Sequence, residues 1–486
     1  MSCTTVLVGK NASNDRSTMI ARTDDGHFDV KKLVLVDPKK QPRKYKSVLS
    51  HCVVELPEAP LPYTASPNVD PAHGLWAATG INAAGVGMTA TETITSNPRV
   101  LSADPLVVFR KASGGKKEVP GGLGEEDFVV LVLPYIRSAR EGVLRLASLL
   151  ETYGTYESNG IAFNDENEVW WMETIGGHHW IARRVPDDVV VVAPNQFAMD
   201  AFDLADAFGE KKNFLCSADL REFIAENNLD LNQDGAMNPR AIFGSRRDLD
   251  HVYNTPRAWF MGRYLTPNSH RWDGENAEFT PESDNIPWCF RPDRKVAVED
   301  VAYLLSAHYQ GTPYNPYSAR DTGMRGMYRS IGINRTGVTS VCQIRSGLPE
   351  VLRGVEWICF GPTTFGAFLP VYTHVSAIPA YLSRVTMDVS TENFYWASRL
   401  LAALADPTFS ASLQNIERYQ LAIATEGRKL LREYDRKILD GGDPALLEEA
   451  NRRLCEMADR EIRKVLGLVL ATASEQMKDG YRLSDN

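Results

Sequence analysis

The sequence predicts an α+β fold: two antiparallel sheets packed face to face with helices outside, an αββα sandwich. Three observations predict it. Short β-branched and apolar runs separated by turn residues recur from Cys3 to Phe197 and again after about residue 310. A helical stretch within Glu126 to Tyr153 interrupts the first set. The chain from Ser390 to Lys478 is helical throughout. Helices, many strands and more helices fit this layering; periodicity alone also allows the strands to form separate sheets.

In chain order, Cys3 to Val8 and Ser17 to Arg22 read as strands around a polar turn, Lys10 to Ser17. Leu33 to Val36 and Cys52 to Leu56 flank a basic loop, and Pro57 to Pro71, with Tyr63, reads as a surface loop able to lie over a site. Ala77 to Ile81 and Val86 to Thr91 flank Asn82-Ala83-Ala84-Gly85, a hairpin whose small residues permit close backbone approach. It lacks the GxxxxGK[ST] pattern of a phosphate loop. Ser138 to Glu141 reads as a helix start. Ile161 to Phe163, Glu168 to Thr174, His179 to Arg183 and Val189 to Ala193 read as an antiparallel meander ending at Asn195.

Residues 198–295 are a loop-rich insertion, with a helix at Leu220 to Asn227. Asp230 to Gly235 copies half of a calcium loop, but Ala241 stands where a bidentate Glu is needed, so a turn explains it better. Val298 to Tyr309 reads as a helix, and Gly332 to Arg345, Val355 to Phe360 and Phe365 to Tyr372 as strands. Asp406-Pro407 and Asp443-Pro444 each read as a helix N-cap followed by Pro. Residues 3–390 are thus expected to form the core. Residues 391–480 form a helical region packed on it or at an oligomer contact, and Tyr481 to Asn486 a frayed end.

Composition narrows function. The chain has 486 residues, 43% hydrophobic and 24% charged, which suits a globular protein. A net charge of -9 argues against a nucleic-acid surface. No apolar run is long enough for a membrane helix, and the start does not read as a signal peptide. The seven cysteines are scattered without a CxxC pair, the usage of a reducing, cytoplasmic compartment. The nine histidines show no HExxH spacing, and adjacent His178 and His179 on a strand would point to opposite faces, so no metal or other cofactor is expected.

The first hairpin carries the chemistry. It returns Arg22 and Asp25 toward Cys3, bringing a thiol, a guanidinium and a carboxylate to one end of a sheet. A cysteine with two residues ahead of it becomes a chain terminus once these are removed. Its α-amine, with a reference pKa of about 7.7–8.0, is then a base near neutral pH, and its thiol, ordinarily near about 8.5, is the proton donor. Arg22 would favour the thiolate, and Asp25 would hold the ammonium or orient the amine. The alternative is a first strand with a buried Cys and a surface Arg-Thr-Asp-Asp turn.

CTTVLVGK, ARTDD, GINAAGVGMTATET, SAREGV, NEVWWMETIGGHHWIARRVPDD, VVVVAPNQF, YNTPRAW and YQGTPYNPY together resemble the lactic-acid-bacterial dipeptidase A family, from about residue 3 to 480. These are N-terminal-nucleophile cysteine peptidases, with secernins, penicillin V acylases and bile salt hydrolases as more distant relatives. The resemblance implies the αββα N-terminal-nucleophile hydrolase fold and metal-free hydrolysis of dipeptides with broad side-chain tolerance. It implies Cys3 as nucleophile, Arg22 and Asp25 as its partners, and Asn195 as a donor to the oxyanion. Glu92 falls near the place where acylase relatives carry a second oxyanion Asn. Ionised, Glu92 cannot donate; it is expected to bind the ammonium of a dipeptide instead. Arg335 is a candidate partner for the substrate carboxylate. Methionine removal suits the small Ser2, whereas loss of Ser2 needs self-processing or another peptidase. A homo-oligomer is expected. An acylase-type amidase on the same fold and a non-catalytic, secernin-like protein are the competing readings.

Overall fold

The computed structural model describes residues 3–26, 29–232, 235–320 and 323–478. The removal of Met1 and Ser2, part of the half calcium loop (Gln233 and Asp234) and the expected frayed end lie outside the described residues.

Two antiparallel sheets dominate the fold. The first runs, in spatial order, Cys289–Phe290, Val190–Ala193, Thr4–Val8, Thr18–Asp24, Val338–Ile344, Gly354–Phe360 and Leu369–Tyr372. The second runs Phe214–Cys216, His179–Val185, Val169–Ile175, Asn159–Asn164, Gly87–Thr89 and Thr79–Ile81, with Glu92–Thr93 also paired to Asn159–Asn164. There are two further two-stranded sheets, Val34–Val36 with Tyr63–Ala65 and Lys44–Lys46 with Val53–Glu55; the first lies against Thr79–Ile81, where Ser66 N donates to the Thr79 carbonyl at 3.3 Å.

Alternation along these strands divides the core into three clusters. Leu7, Ile20, Val191 and Cys342 of the first sheet meet Ala162, Trp171 and Ile181 of the second. One residue out of step, Val6, Ala21, Val341 and Trp357 face the other way, toward Trp259, Val301, Leu401, Tyr434 and Leu454 on helices. Met88, Phe163, Trp170 and Met172 on the far face of the second sheet pack with Phe128 and Leu146, from helices Glu125–Val132 and Ala139–Tyr153. Each such fully buried aliphatic side chain contributes about 1.5–3 kcal/mol. The small residues of the second hairpin have the expected purpose: a Cβ on Gly80 would lie 1.9 Å from the Thr64 carbonyl oxygen, and Gly85 turns the chain at φ +73°.

Several local expectations change. The meander keeps three strands; the fourth, Val190–Ala193, crosses to the first sheet and pairs with Thr4–Val8; it is apolar and buried throughout, so its sequence does not mark which sheet it joins. Tyr63 is buried in a strand rather than exposed on a loop. Gly332 to Gly337 is loop, and the strand begins at Val338. The last two long helices, Phe409–Leu439 and Leu446–Glu475, begin two residues beyond Pro407 and Pro444. Asp406 is the C-cap of helix Phe394–Ala405, and Asp443 accepts from Ala445 N at 2.9 Å, so each closes a turn ahead of the helix. The helical region packs on the edge of the first sheet, where Asn451 exchanges hydrogen bonds of 2.9 Å with both backbone groups of Tyr372.

Candidate active site

Register places the first hairpin's side chains. Thr5 pairs with Arg22 and Thr4 with Thr23, so Cys3, Thr5, Arg22 and Asp24 share the face turned toward the second sheet. Cys3 is fully buried. Arg22 Nη2 donates to Cys3 Sγ at 2.9 Å, to Glu125 Oε1, and lies 3.5 Å from Asp24 Oδ1. Arg22 Nε donates to the Thr91 carbonyl, which fixes the guanidinium plane. Asp24 Oδ2 is held by Lys31 Nζ at 2.6 Å, and Lys31 also donates to the Trp76 carbonyl at 2.8 Å.

Burial pushes the Cys3 thiol well above its ordinary range; Arg22 opposes this, while Glu125, Glu92 and Asp24 reinforce it. Burial also acts to raise Asp24, but Lys31 and Arg22 outweigh it and hold the carboxyl below its usual range. Asp24 Oδ1 and Glu125 Oε2 are buried without a hydrogen-bond partner among the described residues. Glu157, which accepts from Glu125 N at 2.7 Å, is pushed up to about 7 by burial and by the Glu125 charge.

Cys3, Asp24 and Glu125 also form the one group of possible metal ligands among the described residues, with ligand atoms within 4.8 Å of one another. The Arg22 guanidinium already sits against all three, so it supplies the positive charge there.

Asp25, one residue out of step with Asp24, does not join this face. Its oxygens accept from Thr23 Oγ1 at 3.1 Å and Thr336 Oγ1 at 2.7 Å, and pair with Arg329. Its link to the first strand, next to Cys3, runs through Thr23, whose Oγ1 accepts from Thr4 N at 2.9 Å. Asn195 follows the strand that pairs with Thr4–Val8. Its Nδ2 donates to the Thr93 carbonyl at 2.9 Å, and its Oδ1 accepts from Arg257 Nη2 at 2.7 Å.

Arg257, on helix Thr255–Leu265, joins Glu125 and Lys31 as a site residue that the sequence does not single out. It is fully buried and bonds the Cys3 carbonyl, Thr4 Oγ1 at 2.7 Å and Asn254 Oδ1 at 2.8 Å, joining Asn195 to the backbone of Cys3. Burial and the nearby Arg329 lower its pKa to about 10. Its sequence signals are its place in YNTPRAW and just after Pro256 at a helix start, in a stretch otherwise loop-rich.

Glu92 is fully buried. Its Oε2 accepts from Thr5 Oγ1 at 2.8 Å, and its Oε1 has no hydrogen-bond partner. Burial pushes it up to about 8, against the pull of Arg257 and the Thr5 hydrogen bond. Arg335 is half-buried and donates from Nη2 to Tyr253 OH at 2.8 Å; the Tyr253 ring lies beside both Arg257 and Arg329. His178 and His179 lie elsewhere. His178 sits in the turn before the strand, so alternation does not separate the pair, and both Nδ1 atoms reach Asp104, at 3.0 and 2.7 Å.

The model of peptidase family C69 matches residues 2–422. The chain is 46% identical to a protein of Bifidobacterium longum named "Dipeptidase", covering all of both chains. It is 47% identical to a "Probable dipeptidase A" of Streptococcus pyogenes serotype M18, over all of this chain and 98% of the relative. Identity to a "Probable dipeptidase B" of Lactococcus lactis is 42%, again over all of this chain and 98% of the relative. With a family match over most of its length and relatives alike from end to end, the chain belongs to peptidase family C69.

Proposed function

We propose that this chain is a cysteine dipeptidase whose nucleophile is Cys3, brought to the terminus by removal of residues 1 and 2. The observation that carries this reading is the enclosed contact between Cys3 Sγ and Arg22 Nη2 at 2.9 Å, in a chain alike over its full length to proteins named dipeptidases. Three apolar clusters, one between the sheets and one on the outer face of each, support the αββα N-terminal-nucleophile arrangement. They also support a core of residues 3–390 carrying helices from 391–480.

The reaction runs in two steps. The α-amine of Cys3 takes the thiol proton, and Arg22 holds the thiolate. Sulfur bonds to the peptide carbonyl carbon, whose π electrons move onto oxygen; Asn195, kept in place by Arg257 and the Thr93 carbonyl, donates to that oxyanion. The C–N bond breaks, its electrons take the proton from the Cys3 ammonium, and an amino acid leaves. Water then hydrolyses the thioester.

Asp24 and Glu125 account for a preference for free N-termini. In a dipeptide the ammonium is two bonds from the scissile carbonyl carbon, so its partner must lie close to the attacking sulfur. The oxygens that lack a hydrogen bond, Asp24 Oδ1 and Glu125 Oε2, belong to carboxylates clustered with Cys3. This moves the ammonium role from Glu92, whose raised pKa leaves it uncharged at neutral pH. Asp25 acts through Thr23 on the Thr4 backbone. Arg335, at Tyr253, meets the substrate carboxylate.

All seven cysteines are unbridged, which fits a cytoplasmic location, and no described helix is long and apolar enough to cross a membrane. Leu421, Leu468 and Leu470, exposed on the long helices, fit a homo-oligomer contact.

The test is Cys3→Ala, assayed on dipeptides and on their N-acetylated forms beside wild type, with intact mass of the active protein. Wild type should start at Cys3 and cleave only the free dipeptides, and the variant should keep its melting temperature and lose turnover. Near-normal activity in the variant, or active enzyme that retains Ser2, overturns the mechanism. Preference for acetylated substrates favours the amidase reading.

A further inference from the structure

Glu92 is the one carboxyl beside the nucleophile with no basic group within salt-bridge distance in the described structure. Asp24 has Lys31 and Arg22, Glu125 has Arg22, and Asp25 has Arg329. The charged and titratable groups that face Glu92 are Cys3 and Arg22 on the first hairpin, Asp25 just beyond it and Arg257 on helix Thr255–Leu265; none of them hydrogen-bonds it. The strand on its other side presents Asn159 and Gly160.

A fully buried carboxylate with one neutral hydrogen bond is costly, and such a group keeps its proton instead. With Thr5 Oγ1 donating to Oε2 at 2.8 Å, the arrangement that satisfies the Thr5 hydroxyl puts the proton on Oε1. Oε1 is the atom without a partner, leaving an O–H donor with no acceptor among the described residues. Thr5 is two residues from Cys3 on the same face, and Asn195 is tied to Thr93, the residue after Glu92. The unused donor therefore sits on the face that carries Cys3, one residue from the backbone that holds Asn195.

We propose that Glu92 is a catalytic residue that works as a neutral carboxylic acid, its Oε1–H donating a hydrogen bond to the oxyanion opposite Asn195. The proposal rests on the cysteine dipeptidase reading. The proton stays on Glu92: as the C–S bond forms, the carbonyl π pair moves to oxygen and gains a donor that the free protein leaves unsatisfied. A buried acid held neutral so that it can donate is a known device for stabilising oxyanions. The burial-raised pKa of about 8 agrees with this protonation state, and it predicts that kcat falls as pH rises through about 8, where the donor is lost.

The experiment compares Glu92→Gln with Glu92→Ala in the processed enzyme. Gln replaces the O–H with an N–H, its oxygen held by Thr5. It should keep kcat within about threefold of wild type and lose the alkaline fall, whereas Ala should lower kcat about 10²–10³-fold with little change in KM. Equal loss in both variants, or wild-type kcat in Glu92→Ala, overturns the proposal. So does a Glu92→Gln effect confined to KM for substrates with a free ammonium, which would return Glu92 to substrate binding. Infrared difference spectra of wild type minus Glu92→Gln at pH 7 read the protonation separately. A protonated-carboxyl band in wild type is expected, and its absence overturns the proposal even if Glu92→Ala fails to fold. If wild type cleaves no dipeptide while the band is present, the dipeptidase reading fails rather than the protonation of Glu92.

Discussion

On one face of the first hairpin, Arg22 meets Glu125, Asp24 and the Cys3 thiol; out of step with it, Asp25 meets Arg329, Thr336 and Thr23. Both are buried arginine–carboxylate clusters, yet they are finished differently. Both oxygens of Asp25 are bonded. Around Arg22, Asp24 Oδ1, Glu125 Oε2 and, nearby, Glu92 Oε1 are buried without a hydrogen bond. Unmet polar groups inside a protein cost about 1–3 kcal/mol each, so a cluster of them is kept for a task. The Asp25 side therefore reads as the frame and the Arg22 side as the working surface.

Asp25→Asn is the strongest way to break this contrast. Removing the charge that Arg329 pairs with should cost about 3–5 kcal/mol of stability, measured by urea unfolding. The molecules that remain folded should keep turnover within about tenfold, a loss of roughly 1.4 kcal/mol. A variant of full stability and no turnover would put Asp25 at the reaction itself, holding the amine of Cys3.

The same contrast shows what was legible in the sequence. The Cys3–Arg22 pairing was, because a short hairpin ties its partners together locally and period-2 alternation sets the faces. That alternation also separates Asp24 from Asp25, a distinction the ARTDD string makes only when strand register is counted from Cys3. Glu125, Lys31 and Arg257 were not legible. They come from other elements, and nothing local marks which buried charge will meet which. Val190–Ala193 was legible as a strand but not as a neighbour of Thr4–Val8, since an apolar strand carries no address.

Asn195 lies where the two clusters meet, through Arg257, and Asn195→Asp sharpens the division. Asp keeps an oxygen for Arg257 Nη2 and turns that contact into an ion pair, which offsets the lost hydrogen bond to the Thr93 carbonyl, while losing the N–H donor. If Asn195 serves the oxyanion, kcat should fall about 10²–10³-fold at nearly unchanged melting temperature. A loss mainly in melting temperature would place Asn195 with the frame.

The smallest effect is expected at Arg335, on the rim of the frame. Its guanidinium donates to Tyr253 OH at 2.8 Å and is half-buried, so solvent screens its charge and the contact is worth less than those around Arg22. As the partner of a dipeptide's carboxylate it should act on binding alone. Arg335→Ala should raise KM about tenfold, or roughly 1.4 kcal/mol, with kcat within twofold. The dipeptide amide, which lacks the carboxylate, should not distinguish variant from wild type. Equal loss on acid and amide would mean that Arg335 merely props Tyr253 against Arg257. The rim would then belong wholly to the frame, and the substrate carboxylate would have to be met by another cation.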